Sequence, residues 1–177
     1  MSKADEEAGS AGEELEALLK KWERIAPGVD GSAMLVLGRV GMLAAHRERA
    51  YAEVLAPFDL GLIDVHTLQM LRLLEPGASA SPSELARFPF TSRAGMTRAL
   101  DRLEAKGLVE RSAHESDRRR TLVTLTSEGE DVSDRFRTAE LAFQNQALEG
   151  IPDRERRAFS RTLDKLIDNL SDFGAER

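Results

Sequence analysis

Asp117-Arg118-Arg119-Arg120 sets one carboxylate beside three consecutive guanidiniums. The runs on either side, Leu108 to Ala113 and Thr121 to Thr126, alternate apolar or β-branched residues with polar ones, the period of half-buried strands. Two such runs around a short connection form a hairpin, so the spacing predicts the basic cluster at a hairpin tip. Adjacent like charges repel one another unless a polyanion compensates them. Phosphate is the partner the cluster implies.

The residues upstream must position that cluster. Ser81-Pro82-Ser83-Glu84 combines a capping serine, a proline at the first helical position and a glutamate placed to close a capping box. That helix must be short, because Pro89 removes a donor and restricts Phe88, and Thr91-Ser92 offers a second start at once. In the helix that follows, Met96, Ala99, Leu100 and Leu103 share one face, and Gly107 stops it. The opposite face carries Ala94, Arg98 and Asp101, with Thr97 at its edge. If the apolar stripe packs inward, the other face projects outward as a recognition helix does in a major groove. Ser81, Thr91, Ser92, Arg93, Thr97 and Arg98 are thus candidate contacts to double-stranded DNA, together with the basic run of the hairpin.

The wording of the chain goes further. Ser83-Glu-Leu-Ala86, Met96-Thr-Arg-Ala-Leu-Asp-Arg-Leu-Glu-Ala-Lys-Gly-Leu-Val109, Asp117-Arg-Arg119 and Val123-Thr-Leu-Thr-Ser-Glu-Gly129 stand in the order and spacing of the MarR family of bacterial transcription regulators, which the stretch from about Gly61 to Gly129 resembles. The resemblance implies a winged helix-turn-helix, mainly α with a small β-hairpin wing, dimeric through its N- and C-terminal helices. It implies a homodimeric repressor on a pseudo-palindromic operator, released by a small-molecule effector. It also implies that Arg119 enters the minor groove, held by Asp117, while Arg118 and Arg120 serve backbone phosphates.

An amphipathic segment precedes the part shared with minimal members of the family. Leu15, Leu18, Leu19, Trp22 and Ile25 fall on one face between Glu13 and Ile25, and Pro27-Gly28 ends it. This helix, carrying the single tryptophan, is similar to that of the urate-responsive branch of the family. By that similarity Trp22, Asp64 and Arg98 would bind an aromatic or phenolic anion, and Arg72, standing where the branch has an asparagine, could also pair with it. Each has a plainer reading: Trp22 as packing, Asp64 as a helix cap, Arg98 as a DNA contact. An Asp64–Arg98 salt bridge would tie the recognition helix to the scaffold, and an anion competing for Arg98 would act as a switch.

Charge distribution fits these expectations. The net charge is −6, yet residues 91–120 hold eight Lys or Arg against five Asp or Glu, whereas the first thirty residues hold four against eight and residues 121–177 eight against twelve. Positive charge is concentrated where DNA contact is expected. Phe159, Leu163, Leu166, Leu170 and Phe173 alternate by four and three, a seam for a partner helix, and Val132, Phe136, Ala139 and Phe143 repeat the pattern one helix earlier. The expected organisation is a disordered segment over 1–12, N-terminal helices over 13–60, the winged helix over 61–127 and dimerisation helices over 128–177. With no cysteine there is neither a disulfide nor a thiolate ligand, and His46, His66 and His114 are too scattered to suggest a metal site. No cofactor is implied. No run approaches the ~20 apolar residues of a membrane span, and the acidic start is unlike a signal peptide, which points to the cytoplasm. Nothing resembles a nucleophile–base pair or a phosphate loop, so an enzyme is not expected. A winged helix that binds protein rather than DNA is the alternative.

Overall fold

The computed structural model describes residues 11–28, 30–75, 77–87, 92–114 and 117–173, and within these the side chains of Ala11, His114, Asp117, Arg118, Arg119 and Asp172 are not described. It divides into two compact units, residues 1–59 and 60–177.

In the first unit, α1 (Ala11–Ile25) packs on α2 (Ser32–Leu55), which runs into a 3-10 turn at Ala56–Phe58. Two glycines explain how, Gly31 at the N-cap of α2 and Gly38 within it. A β-carbon added at Gly38 would stand 2.9 Å from Leu15, and one at Gly31 would collide with Leu19. Gly31 and Gly38 are seven residues apart and so share a helix face, whose missing side chains leave slots for two leucines of α1. The rest of the expected apolar face stays open: Leu18, Trp22 and Ile25 are 45%, 51% and 71% exposed.

The second unit is built around α3 (Leu62–Arg72), α4 (Pro82–Leu85), α5 (Arg93–Ala105), the hairpin β1 (Val109–His114) and β2 (Asp117–Leu125), α6 (Ser127–Ala147) and α7 (Asp153–Asp172). Its core takes Val65 and Leu68 from α3, Leu85 from α4, Met96, Ala99, Leu100 and Leu103 from α5, Val109 and Val123 from the hairpin and Phe136 from α6. Burying each large side chain contributes about 1.5–3 kcal/mol. The apolar stripe read along α5 is therefore the face that packs. Gly107 follows α5 with φ of 70°, the left-handed conformation that ends a helix without a Cβ penalty.

β1 and β2 pair antiparallel from Val109 opposite Leu125 to Ala113 opposite Thr121, and an irregularity then brings His114 opposite Asp117. This corrects the expected hairpin. Asp117–Arg120 belongs to strand β2, with Asp117 opposite His114 and the three arginines in the register irregularity between that pair and Thr121. At the other end, Thr126 donates its hydroxyl to the Gly107 carbonyl at 2.7 Å and caps α6 by accepting from the Gly129 N–H at 3.0 Å. A β-carbon at Gly129 would run into the Leu108 carbonyl, so only glycine permits this close approach of α6 to the end of α5.

α7 leaves most of its apolar seam in the open. Phe159, Ile167, Leu170 and Phe173 are exposed, and Leu163 and Leu166 half-buried. Among the described residues no single helix is long and apolar enough to cross a membrane.

Candidate nucleic-acid interface

The site begins at two helix starts. Ser81 and Glu84 form the expected capping box: the Ser81 N–H and hydroxyl donate to Glu84 Oε2 at 2.8 and 2.7 Å, and the Glu84 N–H reaches Ser81 Oγ at 3.3 Å. Those bonds from Ser81, hydroxyl first and backbone second, hold the Glu84 carboxyl below the usual glutamate range, helped by the charges of Arg120 and Arg87. Ser81 itself is buried. The hydroxyl expected to meet DNA is engaged by Glu84 and lies 3.0 Å from that of Ser83.

Ser92 caps α5 through the Gly95 N–H at 3.1 Å. Thr91 lies outside the described residues. Arg93, Ala94, Thr97 and Arg98 are all exposed on the first turns of α5, opposite the buried stripe. The Thr97 hydroxyl donates back to the Arg93 carbonyl at 3.0 Å, which leaves its oxygen and methyl outward. Arg98 has no ion-pair partner among the described residues. A helix N-terminus carrying two exposed arginines is suited to phosphate and base edges alike. In the hairpin, Arg120 is exposed on β2, while the side chains of Asp117, Arg118 and Arg119 lie outside the described residues.

Two ion-pair clusters hold α5. Arg102 grips Asp64 with Nε at 3.2 Å and Nη2 at 2.6 Å, and the Gly61 N–H donates to the same carboxylate at 2.9 Å. Asp64 is buried, whereas Arg102 is half exposed. The expected Asp64–Arg98 bridge is thus not the one formed. The packing of α5 on α3 brings the C-terminal half of the recognition helix to Asp64, and Arg98 stands one turn nearer its N-terminus. At the other side, Arg111 of β1 forks to Asp101 at 2.7 Å and Glu104 at 3.1 Å. Neither Arg102 nor Arg111 was among the expected site residues. The signal for Arg111 was present all the same, as a lone strand arginine following two acids three apart on a helix.

Nor does Arg72 stand ready for an anion. Its Nε and Nη2 donate to the two oxygens of Asp134 at 3.1 and 3.0 Å, and this pairing holds Asp134 below the usual carboxylate range. Trp22 belongs to the first unit, where it lines an open groove of about 260 Å³ with Leu19, Glu23, Ala26, Asp30, Gly31 and Met34. Among the described residues no group of His, Asp or Glu is placed to hold a metal ion.

Comparison with known proteins agrees with this geometry. The model of the MarR family matches residues 65–121, from α3 into the hairpin. The transcriptional regulator PecS of Dickeya dadantii is 29% identical over 116 residues, 66% of this chain and 70% of PecS. A variant of MarR from Escherichia coli, solved in complex with operator DNA, superposes with a TM-score of 0.64 at 27% identity, over 78% of this chain and 99% of that one. BpsR of Bordetella bronchiseptica, whose DNA binding is regulated by 6-hydroxynicotinic acid, shares the fold at a TM-score of 0.65 and 22% identity, covering 81% of this chain and 99% of BpsR. The family model's match spans the capped short helix, the recognition helix with its outward arginines and the start of the basic strand, and over this stretch the chain is similar to the MarR family of winged-helix transcription regulators.

Proposed function

We propose that this chain is a homodimeric repressor that reads a pseudo-palindromic operator and releases it on binding a small aromatic acid. The observation that carries the DNA reading is the exposed first half of α5, with Arg93, Thr97 and Arg98 on the side away from the buried stripe. Such a face has sequence information to read in the major groove, whereas the run Arg118–Arg120 supplies charge for phosphates and a narrow minor groove. Within that run Arg119 takes the groove and Asp117 steadies it. Dimerisation is supported by α7, whose Phe159, Ile167, Leu170 and Phe173 are large, apolar and exposed. Two lobes then meet half-sites about one helical turn, roughly 10–10.5 base pairs, apart.

For the effector, Trp22 is the anchor. It is half exposed beside a groove whose surface is mostly apolar but whose rim also carries Glu23 and Asp30, and an aromatic ring can stack there on the indole. The regulation of BpsR by 6-hydroxynicotinic acid supports the same chemical class. Urate and salicylate belong to the first screen with it.

The deciding experiment selects duplexes from a random pool with the full chain and titrates the winners against salt. A DNA regulator gives a reproducible two-fold motif and an affinity that falls steeply with salt, about one counterion per phosphate neutralised. Failure to select any motif would favour the reading of the winged helix as a protein-binding module.

A further inference from the structure

Arg111 stands where the hairpin meets the recognition helix. It lies opposite Val123 in the register, and Val123 exchanges both backbone hydrogen bonds with Ala80, at 3.0 and 2.9 Å. The strand is therefore anchored from the far side at the level of Arg111. From that fixed base the guanidinium forks, Nη2 to Asp101 and Nη1 to Glu104, and is itself only 27% exposed. Asp101 and Glu104, three residues apart, are neighbours on one flank of α5, so a single planar group spans successive turns of the helix.

Exposed ion pairs stabilise a fold little, and the acids are 57% and 43% exposed. The contribution of the fork is geometric. It fixes the hairpin relative to the same helix that presents Arg93, Thr97 and Arg98.

We propose that Arg111 is a positioning residue that locks the wing to the recognition helix, so that both elements approach the duplex as one body. This rests on the DNA reading above. It carries a sign that electrostatics alone would reverse. Asp101 and Glu104 are negative charges on the lobe that meets a polyanion, so removing them would tighten binding to every duplex if charge were their whole effect. If they hold the fork, removing them frees the wing and costs specific binding, because two elements that must be placed separately lose the advantage of being placed together.

The test uses the full-length chain, a duplex selected by the wild type and a random duplex of equal length, at one salt concentration. The Asp101→Asn/Glu104→Gln protein is expected to bind the selected duplex about tenfold more weakly, the scale of one lost base contact, and the random duplex as well as or better than wild type. Arg111→Lys keeps the charge but not the planar fork, and is expected to show the same loss on the selected duplex. Thermal melting of both variants reports that they are folded. Tighter binding of both duplexes by the double variant, or wild-type behaviour of Arg111→Lys, overturns the positioning role. A wild-type chain that selects no duplex overturns the DNA reading instead, and the inference with it.

Discussion

Replacing Arg102 with alanine removes two of the three hydrogen bonds that hold the Asp64 carboxylate, leaving the Gly61 N–H alone. Asp64 is 3% exposed at its side chain, so water cannot fully replace what is lost. A hydrogen bond to a charged group nets roughly 1.5–3 kcal/mol. Because the guanidinium is 49% exposed, solvent already screens part of the attraction, and the low end applies to the pair as a whole. The expected cost is about 2 kcal/mol, which for a chain of this size lowers Tm by roughly 4–8 °C. Urea unfolding at one fixed protein concentration measures it, since a dimer's stability depends on concentration. An Asp64→Leu/Arg102→Met double variant should recover much of the loss, because a buried pair replaced as a unit leaves no orphaned charge. If Arg102→Ala costs less than about 0.5 kcal/mol, the range of an ordinary surface change, the clamp contributes nothing and α5 is held by its apolar stripe alone.

The capping box predicts that Ser81→Ala costs about 1 kcal/mol, checked by urea unfolding. Since the native Glu84 carboxyl sits below its ordinary value of 4.5, its stabilisation is present above that pH and is lost as pH falls through the native value, so the gap between wild type and Glu84→Ala should narrow on going from pH 7 to pH 3. On α7, Leu163→Asp would bury an unpaired charge in the seam, and sedimentation is expected to show monomer or aggregate with operator binding lost. Titration with salicylate, urate or 6-hydroxynicotinic acid should quench the fluorescence of Trp22, the single tryptophan, and weaken operator binding; Trp22→Phe should lose most of the ligand affinity while leaving DNA affinity nearly intact.

What could be read before the fold was seen is what depends on neighbours along the chain. The stripe of Met96, Ala99, Leu100 and Leu103 is a matter of helical period, the start at Ser81 a matter of three residues, and the stop at Gly107 a matter of one. Each is buried, bonded or turned as its spacing requires. Where two elements had to be brought together, the same rules left the choice open. Arg98 and Arg102 are one turn apart on the same flank of α5, and periodicity cannot say which of them meets Asp64. That choice is settled by how α5 packs on α3, which brings Arg102 and not Arg98 to Asp64.

The hairpin and the first helix show the same division. Three consecutive arginines read locally as a tip, since nothing in the run itself favours a strand, yet β2 includes them and pairs again with β1 at Asp117, opposite His114, across an irregularity in the register. On α1 the five apolar residues do share a face, but burial requires an opposing surface of matching shape. Only Leu15 and Leu19 find one, in the slots left by Gly38 and Gly31, and the signal for it lay not on α1 but on α2, in two glycines seven residues apart. Leu18, Trp22 and Ile25 meet no such slot and stay exposed. Packing thus accounts for two of the five and leaves the tryptophan free for another use, which is why Trp22 and not its neighbours is the residue to probe with an aromatic ligand.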